Sequence, residues 1–204
     1  MANNTLPPDT ARMTEVVGMY PVLPPMPKAS RPGSDKAQHS IELVFEENSA
    51  AHKAAEAAIA YAISQKWPKG APPNLKTPIK DPTAPSTTRA DGGPARRGVA
   101  YEPGPSGARK LYMRAATSFD FPTWIGKDRR PATVDDIYSG GIWLIVAKVA
   151  PYAMPGAAPG VTAYLQLAWR TSPGTRMGSG GFDADSLDVS DVSFSDGGDD
   201  PFAN

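Results

Sequence analysis

Ile137-Tyr-Ser-Gly-Gly-Ile-Trp-Leu-Ile-Val-Ala-Lys-Val149 is a run of β-branched and aromatic residues with a glycine pair inside it. The composition predicts a strand, and Gly140-Gly141 predicts a bulge or sharp bend within it. Working outward, four more stretches read as strands. Residues 161–171 alternate after a hairpin-type connection at 151–160. Residues 109–118 alternate, with Leu111, Met113 and Ala115 on one face and Lys110, Tyr112 and Arg114 on the other. In 39–45, Ile41, Leu43 and Phe45 alternate with Ser40, Glu42 and Val44. Val16 to Leu23 is a short apolar run, and the following Pro24-Pro25 assigns it to a sheet edge. One helix is predicted: Asn48 or Ser49 caps it, and Ala51, Ala54, Ala55, Ala58, Ile59, Ala62 and Ile63 keep helical spacing. Its polar face carries His52, Lys53 and Glu56, and it stops at Trp67-Pro68. Five strands, one bent at glycine, with one helix predict a mainly β, OB-fold-like five-stranded Greek-key barrel.

Charge divides the chain of 204 residues in two. Residues 1–182 hold all 21 Lys and Arg against 14 Asp and Glu, a net +7. Residues 183–204 hold seven aspartates and no cation. The tail closes on Asp199, Asp200, Pro201 and Phe202, an acidic run with a buriable ring near its tip. Between helix and third strand, residues 68–108 contain nine prolines and six cations against three acids, which predicts a flexible basic loop. The expected organisation is a flexible N-terminus (1–15), a barrel domain (16–177) and an acidic disordered tail (178–204). A basic body with an acidic tail is the charge pattern of a nucleic-acid-binding domain carrying its own polyanion.

The strand at 109–118 gives that pattern a local shape. Lys110, Tyr112 and Arg114 form a cation–aromatic–cation face, where cations meet phosphates and a ring stacks on any base. Trp124, Lys127, Arg129 and Arg130 follow in a loop, and Tyr164 with Arg170 repeats the motif on the last strand beside Gln166. Phe119, Phe121 and Trp169 read as core, and Tyr138 and Trp143 as packing around the glycine bend.

Catalytic patterns find little support in the same residues. His39 and His52 are the only histidines and sit on different elements, so neither a histidine metal site nor a Ser-His-Asp triad is supported. Gly104-Pro-Ser-Gly-Ala-Arg-Lys lacks phosphate-loop spacing, and there is no cysteine for a thiolate site or disulfide. Neither an enzyme nor a cofactor is expected. No apolar stretch approaches the ~18 residues of a membrane span.

With these residues in view, the chain resembles the phage-encoded single-stranded-DNA-binding proteins of the OB-fold type. The resemblance is carried by Met19-Tyr-Pro-Val-Leu, by His39-Ser-Ile-Glu-Leu-Val-Phe with its Ala-rich helix, by the Leu111-Tyr-Met-Arg-Ala strand, by Asp136-Ile-Tyr-Ser-Gly-Gly, and by the acidic tail with a late Phe. It implies sequence-independent binding of single-stranded DNA in phage replication or recombination, in the host cytoplasm. It also implies a tail that competes with DNA and recruits phage or host replication and recombination proteins; a homo-oligomer is one allowed assembly. The alternatives are a phage structural or assembly adaptor, and an RNA-binding OB module.

Overall fold

The computed structural model describes residues 6–29, 36–85 and 93–177. The acidic tail, with Asp199, Asp200, Pro201 and Phe202, lies outside them. In chain order the elements are β1 (Thr10–Val22), β2 (His39–Glu46), α1 (Ala50–Lys66), β3 (Ile79–Lys80), β4 (Lys110–Thr117), β5 (Thr123–Ile125), β6 (Arg130–Pro131), β7 (Gly141–Tyr152) and β8 (Gly160–Ser172).

The five long strands form a ring. β1 pairs antiparallel with β2 and β7, β2 with β4, and β7 with β8. A parallel pairing at Ala115 and Ala163 joins β4 to β8 and closes the circuit. The fold is a mainly β, five-stranded Greek-key barrel with one helix, as expected. The three short strands extend it at the margins, β3 beside β4 and β5–β6 beside β8.

Alternation explains the interior. Ile41, Leu43 and Phe45 of β2, Leu111, Met113 and Ala115 of β4, and Trp143, Ile145, Ala147 and Val149 of β7 all point into one buried cluster. Ala51, Ala55, Ala58 and Ala62 of α1 join it, and the helix packs mainly on β1 and β7. Small side chains let the helix axis come close to the sheet. Closeness is also why Gly18 lacks a side chain: a Cβ there would lie 2.6 Å from the buried indole of Trp143.

Several expectations need correction. β1 starts at Thr10 inside the expected flexible N-terminus, and it is central rather than an edge, because Pro24-Pro25 follow its last ladder pair. Two register shifts, at Met13/Val16 and Met19/Val22, bend it around the barrel. Gly140-Gly141 stands at the entrance of β7 and not within it. His52 is buried, not on a polar face: its ring tilts on Phe45 and its Nδ1 accepts from the Asn48 amide. Ser49 is the helix cap, its Oγ accepting from the His52 amide.

Candidate nucleic-acid interface

Lys110, Tyr112 and Arg114 do lie on the outer face of β4, across from Glu46, Val44 and Glu42 respectively. The expectation that Tyr112 offers an open ring is overturned, because it is only 6% exposed. The cover comes from the long loop. Its described part is not structureless: it pairs Ile79 and Lys80 with β4, then lays Arg96, Ala100 and Tyr101 over the outer face of β1, β2 and β4. Met19, Val44, Ala100, Tyr101 and Tyr112 form a second apolar cluster there. The Arg96 guanidinium sits 5.0 Å from the centroid of Tyr112, and Tyr101 meets the same ring edge-on.

A buried carboxylate locks this cover. Glu42 accepts from Arg96 Nε at 2.9 Å and Nη2 at 2.6 Å, and from the Tyr101 hydroxyl. The hydrogen bond to Glu42 holds Arg96 firmly protonated, and burial followed by that carboxylate pushes the Tyr101 phenol far up. Burial likewise raises the Tyr112 phenol. Lys110 is engaged by Glu46 at 2.9 Å, and Arg114 is half-buried.

The outer face of β7, β8 and β5 is arranged differently. β8 carries an extra residue at Gln166, where Leu165 pairs with Ala147 but Leu167 pairs with Val146. A one-residue bulge reverses which side chains face the core. Leu165 and Ala168 are both buried as a result, and Trp169 shares the outer face with Tyr164 and Gln166. Trp169, expected in the core, therefore stands beside Trp124, its register neighbour on β5; the rings meet edge-to-face at 6.4 Å and 81°. Trp169 Nε1 donates to the Gly126 carbonyl at 2.7 Å, which fixes that indole. Arg129 lies over both rings, 4.9 Å from Trp169 and 5.7 Å from Trp124. Tyr164 is 45% exposed on the same strand, cross-paired with Lys148.

The bulge also removes Arg170 from this face. Arg170 donates to the Asp136 backbone carbonyl at 2.6 Å and its carboxylate at 3.2 Å, and stacks on Tyr138. Arg130 is bidentate to Asp136 at 2.7 and 2.8 Å. The Arg130 bonds hold the Asp136 carboxyl far below the usual range, with help from Thr133. Two expected contacts, Arg130 and Arg170, are thus tied into a structural cluster, while Lys127 and Arg129 remain exposed. Phe119, expected in the core, is 77% exposed, and Phe121 packs edge-on against His39. Among the described residues, no cluster of three His, Asp or Glu side chains has the geometry of a metal site, and no helix is long and apolar enough to cross a membrane.

This fold is shared with solved structures of a phage single-stranded-DNA-binding protein. Among the solved structures it matches are three from bacteriophage Enc34. The C-terminally truncated single-stranded-DNA-binding protein of that phage superposes with a TM-score of 0.58 at 15% identity, over 83% of this chain and 88% of that one. The untruncated protein gives 0.56 at 16% identity, over 90% and 89%. Its complex with single-stranded DNA gives 0.56 at 16% identity, over 83% and 90%. No family model matches the chain, and no curated protein matches it.

Proposed function

We propose that the chain binds single-stranded DNA without reading base identity, through the outer face of β7, β8 and β5. The observation that carries this reading is the pair of indoles, Trp124 and Trp169, held on an outer strand face with Arg129 and continued along β8 by Tyr164. Flat rings stack on any base, and neighbouring cations meet the backbone, so affinity follows strand exposure rather than sequence. The shared fold with a phage protein captured on single-stranded DNA supports it. Lys127 and Arg129 are the phosphate contacts in this reading. Arg114 on β4 extends the path, because β4 borders β8 at Ala115 and Ala163. Arg130 and Arg170 support the site by holding the loop between β6 and β7. Lys110 and Tyr112 act beneath the loop that covers them, as parts of the fold.

In the same reading the seven aspartates of residues 183–204 compete for the basic surface, and Asp199, Asp200, Pro201 and Phe202 recruit a replication or recombination protein of phage or host. Titration of intrinsic fluorescence with oligo-dT, oligo-rU and duplex DNA tests the core claim. Strong quenching by oligo-dT with weaker duplex binding is expected. A preference for oligo-rU moves the assignment to RNA, and no quenching by any of the three favours an assembly adaptor. Truncation after residue 182 is expected to tighten DNA binding chiefly at low salt, where screening is weak. Phe202→Ala is expected to spare DNA affinity and abolish partner capture.

A further inference from the structure

We infer that Arg129 is a displaceable plug on the indole pair. It occupies the ring faces in the DNA-free protein and moves to a phosphate when a base takes its place. The inference rests on the interface proposed above and concerns how that interface is filled when no DNA is bound.

Three features lead to it. The first is position: the guanidinium lies within 6 Å of both ring centroids, in the corner made by two indoles at 81°. A planar cation there covers the surface on which a base would stack. The second is how Trp169 and the turn beside it are fixed. Trp169 is pinned to the Gly126 carbonyl, and the Gly126 amide donates back to the Arg170 carbonyl at 3.1 Å, so turn and strand are tied together. Arg129 itself has φ +54°, a left-handed conformation costly for a residue with a side chain, and from there its side chain reaches the rings. The Arg129 side chain is bound to neither of these anchors and is free to swing away from the rings.

The third feature is the lack of an anionic anchor. Arg130, one residue on, is held by two bonds to Asp136. Among the described residues, no carboxylate lies within ion-pair distance of Arg129. It is exposed, and the two rings are its guanidinium's contacts. An exposed cation–π contact is weaker than a base–aromatic stack. A base therefore displaces the guanidinium, and the released cation finds the phosphate that arrives with the base. Binding becomes an exchange: the guanidinium gives up its place on the rings, and one base stack and one ion pair form instead.

The exchange has a signature that a fixed phosphate contact does not. The new ion pair weakens with salt, whereas the cation–π stack that it replaces is nearly insensitive to salt. Arg129→Ala removes both. Its log K against log salt should be shallower than that of the parent by about 0.7, one phosphate on a single strand. The two lines should cross: weaker than the parent at low salt, and about two- to fivefold tighter at high salt, the worth of an exposed cation–π contact. Arg129→Lys should keep the parent slope. In the DNA-free state, Arg129→Ala should make the protein's tryptophan emission more accessible to acrylamide. Parallel lines, or a loss of affinity at every salt concentration without crossing, would overturn the plug. Trp124→Ala, measured alongside, separates the two failures. If it binds oligo-dT like the parent, the interface itself is wrong; if it binds weakly while Arg129→Ala shows no crossing, only the plug is wrong.

Discussion

Two outer faces of one barrel each stack an arginine on an aromatic ring, at 5.0 Å on Tyr112 and 4.9 Å on Trp169, yet they do opposite things. On the β1–β2–β4 face the arginine is bonded to a buried carboxylate, its ring is under a loop, and a second tyrosine closes the edge. On the β7–β8–β5 face the arginine meets indoles in the open and no described carboxylate. The anion makes the difference. Glu42 turns a cation–aromatic stack into a structural lock, because a buried carboxylate cannot release its partners without large cost. Without such an anchor the stack stays exchangeable.

Mutations that strike one face and spare the other test the contrast. The largest effect is expected from Tyr112→Ala, which empties a buried ring site and should cost about 3–5 kcal/mol of stability in urea unfolding, with oligo-dT affinity unchanged in the folded fraction. Arg96→Ala takes the guanidinium from the Glu42 carboxylate and leaves the Tyr101 hydroxyl bonded to it. It should cost about 2–3 kcal/mol, less than a fully buried pair, because Arg96 is 37% exposed. Loss of DNA affinity with full stability in either variant would reverse the assignment of the two faces. On the other face, Trp124→Ala should leave the unfolding midpoint nearly unmoved and weaken oligo-dT binding by about 1–3 kcal/mol, one base stack. Tyr164→Ala should fall at the low end of that range.

The smallest effect concerns acid. The native carboxyl of Asp136 is held far below its unfolded value, which is about 4. Its contribution is therefore complete above pH ~4 and lost as pH falls below that towards the native value. Unfolding midpoints should drop between pH 5 and pH 3 in the parent and drop less in Asp136→Asn. An equal drop in both would show that the Arg130–Asp136–Arg170 cluster adds nothing to stability.

Much of the barrel is legible in the sequence because alternation survives in β2 and β4, where each inward residue is apolar. The strand ends of β7 and β8 follow from the hairpin residues between them. The site is less legible, for two physical reasons. Gln166 is an extra residue in β8, and nothing in its chemistry marks it as bulged; only the pairing with β7 reveals that Trp169 turns outward and Arg170 does not. Alternation puts Tyr112 on the correct face, but exposure depends on what a distant loop does. Nine prolines suggest a chain without structure, while the Arg96–Glu42–Tyr101 contacts that fix it join residues 54 and 59 positions apart. Trp124 and Arg129 are legible as candidates, although their common partner Trp169 is not.

Four of the five joints in the ring are antiparallel ladders, and the fifth, between β4 and β8, is a single parallel pairing at Ala115 and Ala163. A hoop made this way has a seam. Amide protons within the β7–β8 ladder are shielded along its length, whereas those of β4 and β8 that face the seam have one backbone pairing between them and are exposed by modest local opening. Among the strands of the ring, deuterium should therefore enter first along this line. Arg114 and Tyr164 flank it, so a strand laid across both would act as a suture, and its arrival should register as slowed exchange at the seam.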